Sequence, residues 1–147
     1  MEQTDKPLLG AAFLCERVLH ERDGVLSAIR LVDTFTVQRP MSDLPTTVVP
    51  TIQCVALIMF KSGEARGRYE VTLRLRPPSA EPREIGRHTI ELKGDHQGAS
   101  LTIELRIAVR EFGLFWIDVL LDGGRVTSMP LRLRRREAVE QLPPSSS

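Results

Sequence analysis

The sequence predicts an all-β fold: two antiparallel sheets packed as a sandwich, immunoglobulin-like in general architecture, with about eight strands. Three observations carry this expectation. Leu101, Ile103, Leu105, Ile107 and Val109 alternate with Thr102, Glu104, Arg106, Ala108 and Arg110, which is the period of a strand with one buried face. Phe115, Ile117, Val119 and Leu121 repeat it, Asp122, Gly123 and Gly124 supply residues that tolerate positive φ, and Met129, Leu131 and Leu133 resume beyond that turn. No stretch carries the sustained 3.6-residue apolar period of an amphipathic helix.

Each element follows in order. Residues 1–6 read as a disordered lead, 7–136 as one domain and 137–147 as a flexible tail, with at most a helical turn over Glu137–Leu142 before Pro143 and Pro144. Leu8 to His20 is apolar on both faces and then mixed from Glu16 onward, as expected for a strand buried early and exposed late. Glu21–Gly24 is a turn. Val25 to Val37 is the second strand of a hairpin, with Val25, Ile29, Leu31, Phe35 and Val37 on one face beside Ser27 and Asp33. Arg39–Pro50 contains Pro40, Pro45 and Pro50 and reads as an irregular crossing between sheets, since each proline removes a ladder donor. Ile52–Phe60 is apolar at nearly every position and is a central strand. After the turn Ser62–Gly67, Tyr69, Val71, Leu73 and Leu75 point inward, with Glu70, Thr72, Arg74 and Arg76 outward. Pro77–Pro82 breaks the chain, Ile85–Leu92 is a weaker strand, and Lys93–Gly98 is a polar turn into Leu101–Arg136, which reads as a β-meander.

Composition sets limits. At 147 residues, roughly two thirds of the unfolded surface is buried on folding, so an ordinary core suffices without a disulfide or metal staple. Apolar residues at 41%, charged residues at 27% and a formal charge of +1 give no global attraction to nucleic acid or an anionic membrane, so any electrostatic function is local. The apolar run Leu8–Cys15 is preceded by Glu2 and Asp5, where a secretory signal needs net positive charge. Phe13 and Leu14 also occupy positions that a lipoprotein signal gives to small residues. Cys15 and Cys54 lie within apolar strands as buried reduced thiols. Together these features point to a cytoplasmic protein.

Catalytic chemistry finds little support. The histidines His20, His88 and His96 form no ligand pair at zinc-binding spacing, and Glu91 with Asp95 and His96 is a poor metal cluster. Neither cysteine has the exposed, base-assisted setting of a nucleophile. Ser27 lacks a nucleophile-elbow context, and the glycines fit turns, with no phosphate loop or cofactor motif. The distinctive polar feature is arginine on outward strand positions: Arg68, Arg74 and Arg76 on one strand, Arg106 and Arg110 on another, and Arg132, Arg134 and Arg136 on the last. If those strands share a sheet, its outer face is basic and suits an anionic partner. Trp116, with Leu114 and Leu120, faces away from the inward set Phe115 and Ile117, which marks either a covered face or an exposed contact patch.

A looser resemblance rests on Phe13, Leu14 and Cys15, the turn Asp23–Gly24, then Leu26, Ser27 and Asp33, and later Gly113, Asp122, Gly123, Pro130 and Leu131. Over residues 8 to about 135 these positions resemble an uncharacterised family of small bacterial proteins, known as a domain of unknown function. The chain has Arg30 where that family has glycine and Val25 where it has lysine. The resemblance implies a β-sandwich and a bacterial cytoplasmic setting, and supplies no catalytic residues.

The expectation is therefore a non-catalytic binding or scaffolding module without metal or cofactor. It acts through a sheet face on a protein partner or a second copy, with Trp116, Arg74, Arg106, Arg110, Arg132 and Arg134 as the contact residues. A metal-dependent enzyme using Glu91, Asp95 and His96, and nucleic-acid binding on the arginine face, are the alternatives.

Overall fold

The computed structural model describes residues 6–37 and 49–136. The lead, the greater part of the proline-rich connection and the C-terminal tail lie outside the described residues. Nine strands form among the described residues: β1 (Leu8–His20), β2 (Leu26–Leu31), β3 (Thr34–Val37), β4 (Thr51–Lys61), β5 (Arg66–Arg76), β6 (Arg83–Lys93), β7 (Ala99–Ala108), β8 (Gly113–Leu121) and β9 (Gly124–Arg135). They build a four-stranded sheet, β2-β1-β4-β7, and a five-stranded sheet, β3-β9-β8-β5-β6. The inward residues of both sheets form one apolar core, including Ile58, Phe60, Leu73, Leu75, Leu105, Ile107, Ile117 and Leu131. This is the all-β, two-sheet arrangement that the alternating patterns predict.

Two expectations are corrected. The stretch Val25–Val37 is not one strand. It leaves the four-stranded sheet after Leu31, and β3 joins the five-stranded sheet in parallel with β9, pairing Phe35 with Leu133. Every other pairing is antiparallel. The break begins at Arg30, whose φ of 58° lies in the left-handed region, where an L side chain crowds the following carbonyl. Arg30 is exposed, and its ion pair with Glu16, 3.0 Å between exposed side chains, offsets little of that strain. Arg30→Gly should therefore stabilise the protein by about 0.5–1 kcal/mol, after the unfolded-state entropy of glycine is counted. A rise of about 2–4 °C in the melting temperature by calorimetry is the expected reading.

The second correction concerns Leu101–Arg136, which is not a meander within one sheet. β7 pairs with β4 across ten consecutive positions, from Thr51 opposite Ala108 to Phe60 opposite Ala99, whereas β8 lies between β5 and β9. The chain changes sheet between Ala108 and Gly113, and Gly113 adopts a φ of 132° there. Alternation places Ile107 and Phe115 equally well on neighbouring strands or on facing sheets, because either arrangement buries both side chains. The hairpin itself is as expected: Asp122 and Gly123 have φ of 46° and 85°, and Leu121 pairs with Gly124, the geometry of a two-residue turn with both central residues at positive φ.

Candidate functional site

The outer face of the five-stranded sheet carries the most organised polar group of the described residues. β8 reads Gly-Leu-Phe-Trp-Ile-Asp-Val-Leu-Leu. Its odd positions, Phe115, Ile117 and Val119, fill the core, so Trp116 and Asp118 point outward. Cross-strand register then sets their neighbours. Asp118 lies opposite Arg74 on β5 and Ser128 on β9, and Trp116 lies opposite Arg76 and Pro130.

Asp118 is completely buried although it points away from the core, because its neighbours fold over it. Arg74 donates from Nε at 3.1 Å and Nη2 at 2.9 Å to Oδ2; Arg76 donates from Nε at 2.7 Å to Oδ2 and from Nη2 at 2.9 Å to Oδ1. Ser128 donates its hydroxyl to Oδ1 at 2.6 Å. Burial alone would push the carboxyl up, but the bonds from Arg76, Ser128 and Arg74 outweigh it and hold the pKa at about 2. The carboxylate is therefore ionised at all ordinary pH.

The cluster carries two guanidinium charges against one carboxylate. Five donors per guanidinium are available, and the bonds to Asp118 use two donor atoms on each arginine. The arginine side chains stay 40% and 35% exposed, so their remaining N–H groups reach solvent from a fixed orientation. Arg76 also sits 6.0 Å from the Trp116 ring centroid, at the outer reach of a cation–π contact. A shallow open depression beside them is lined by Arg76, Trp116, Arg125, Val126, Thr127 and Ser128. Such a surface can accept a carboxylate or phosphate in bidentate fashion.

The residues picked out from sequence are divided by the fold. Arg74, Trp116, Arg132 and Arg134 belong to the five-stranded sheet, with Arg132 opposite Leu114 and Arg134 opposite Thr36. Arg106 lies on β7 in the other sheet and Arg110 follows that strand. The single continuous arginine face therefore does not form. Glu70 pairs with Arg87 at 3.2 Å, a partner on β6.

Asp118 and Ser128 were missed, although a lone acidic residue inside an otherwise apolar strand signals a buried partnered charge. The second apolar face read in both Leu8–Cys15 and Ile52–Phe60 forms a stripe on the outer face of the four-stranded sheet, where Phe13 lies opposite Leu57, Cys15 opposite Val55 and Ala11 opposite Met59.

Of the alternative metal residues, Glu91 lies on β6 opposite Arg68, and Asp95 and His96 are engaged in the turn that follows. His96 has φ 62° and donates its backbone N–H to Gly63, and Asp95 accepts from the Gln97 N–H at 3.2 Å. No group of three His, Cys, Asp or Glu suited to a metal occurs among the described residues. Both cysteines are free and buried, and burial, with a smaller push from Cys15, raises the Cys54 thiol to about 11. A thiol held so far above neutrality is a poor nucleophile. Among the described residues no helix is long and apolar enough to cross a membrane.

No protein-family model and no curated protein matches the chain. Among solved structures, a β-glucosidase from Listeria innocua is similar over 56% of this chain and 14% of its own, at 14% identity and a TM-score of 0.48. The alkylpurine DNA glycosylase AlkC of Pseudomonas fluorescens, bound to DNA containing an abasic-site analogue, is similar over 56% of this chain and 26% of its own, at 14% identity and a TM-score of 0.43. The chain thus spans about a seventh of the first and a quarter of the second.

Proposed function

We propose that the chain is a non-catalytic binding module that takes an anionic group of a protein partner on the outer face of its five-stranded sheet. One observation carries the reading: two half-exposed guanidiniums are locked side by side by a buried carboxylate, next to the chain's single tryptophan. An arginine pair fixed in advance loses little entropy on binding, and an adjacent aromatic adds apolar contact, the combination found at interface anchors. A localised anionic group suits this better than a nucleic-acid backbone, which needs a long basic track, because the arginines are shared between two sheets.

The same reading takes the fold as immunoglobulin-like. In support, β4 and β7 pair within one sheet while β5, β8 and β9 pair within the other with β6 at its edge, matching the roles of strands B and E against C, F, G and C′. It also keeps the kinship with the uncharacterised bacterial family, whose glycine falls where Arg30 is left-handed, and a cytoplasmic setting.

Trp116 is a built-in reporter, since no other tryptophan exists. Titration with an aspartate- and glutamate-rich peptide should shift its fluorescence and indole N–H resonance saturably and in a salt-sensitive manner. Arg76→Gln should weaken that binding about tenfold, the loss of one charge-assisted contact, while Arg17→Gln on the opposite sheet should leave it unchanged. No saturable response to the peptide or to inorganic phosphate overturns the proposal.

A further inference from the structure

Four strands lie at sheet edges, and they are unequal. β2 has six residues with Arg30 strained near its end, β3 has four, and β6 faces a register shift opposite Leu73 and Arg74. Short, kinked or bulged edges resist further pairing. β7 has none of these protections. It runs ten residues in unbroken register with β4 and contains no proline. Among the described residues its backbone from 99 to 108 bonds to no strand but β4, with β6 of the facing sheet passing close by, so one row of its N–H and C=O groups takes no described backbone partner.

The side chains along that edge are self-complementary. Ile103, Leu105 and Ile107 face the core, while Glu104 and Arg106 are exposed on the outer face, and neither joins an ion pair among the described residues. Two copies of β7 related by a two-fold axis at Leu105 pair antiparallel, and Glu104 of each copy then stands directly opposite Arg106 of the other. The same register sets Ile103 against Ile107 and keeps every core residue on the core side. Moving the axis to Glu104 or Arg106 puts like charges opposite each other, which is unfavourable. Only the register centred on Leu105 satisfies both charges.

We infer that the protein associates with a second copy of itself through the β7 edge, joining two four-stranded sheets into one of eight. The interface is isologous, uses strand addition for affinity and is independent of the arginine cluster on the other sheet. Its limited area makes it a reversible dimer.

Sedimentation equilibrium between about 1 µM and 1 mM tests this. The wild type should show a monomer–dimer equilibrium. Glu104→Arg and Arg106→Glu should each raise the dissociation constant about tenfold or more, because each replaces two symmetry-related attractive pairs by two repulsive ones. The two single variants mixed should form a heterodimer, and the double exchange Glu104→Arg with Arg106→Glu should restore the homodimer. Circular dichroism of each variant separates dissociation from misfolding, and the rescued double variant keeps the test decisive. A wild type that stays monomeric at 1 mM overturns the inference. So does a dimer that none of these exchanges weakens.

Discussion

Asp118→Asn is expected to destabilise the protein by about 2–4 kcal/mol at pH 7, a drop of about 6–12 °C in melting temperature. The replacement keeps the shape of the side chain but removes its charge and turns one acceptor into a donor. That donor faces Arg74, Arg76 or Ser128, all of which already donate to this position. Two guanidiniums are then held together without a counter-ion, in a place where water reaches only their outer edges. The estimate stays below the full cost of orphaning buried charges because the arginine side chains are 40% and 35% exposed and partly screened.

The same residue has a pH signature. The Asp118 pKa is about 2 in the folded protein against an ordinary 3.8. A depressed folded pKa means that the carboxylate contributes stability above about pH 4, and that this contribution is lost as pH falls from 4 toward 2. Screening reduces the amount to about 1–2 kcal/mol. Urea unfolding of wild type and Asp118→Asn should therefore give a constant difference from pH 7 down to about 5 and a smaller one by pH 2.5. A difference that does not shrink would mean that Asp118 titrates normally and that the arginines do not hold it.

How much of this was legible beforehand depends on which question alternation answers. It separates inward from outward residues within one strand, so Tyr69–Leu75, Leu101–Val109 and Met129–Leu133 emerge with their faces correct. It does not say which strand lies beside which. The arginines of β5, β7 and β9 were grouped on a conditional shared sheet, and β7 belongs to the other one. The sheet change after Leu31 was hidden for a different reason. Arg30 carries no glycine signal, so its left-handed backbone can be read only from the structure. Asp118 was overlooked because a partnered charge is defined by residues 42, 44 and 10 positions away, a long-range fact that local pattern cannot express.

β4 presents the sharpest case of a pattern that underdetermines the fold. Ile52, Cys54, Ala56, Ile58 and Phe60 alternate with Val55, Leu57 and Met59, so both faces are apolar and either set qualifies as the core. The structure puts the first set inward. Phe60 is 2% exposed; on the outward face Leu57 is also buried, at 3%, whereas Met59, the neighbour of Phe60, is 40% exposed. Phe60→Ala should therefore cost about 3–5 kcal/mol, combining lost transfer energy with the cavity left in a close-packed interior. Met59→Ala should cost less than about 1 kcal/mol, since water already reaches the side chain and fills the space. Guanidinium denaturation of the two variants reads the difference directly, with the slope of the transition unchanged if both remain two-state. Equal losses would mean that Met59 is buried as Leu57 is. A larger loss at Met59 would reverse the sheet's orientation, and with it the placement of Glu104 and Arg106 on the outer face.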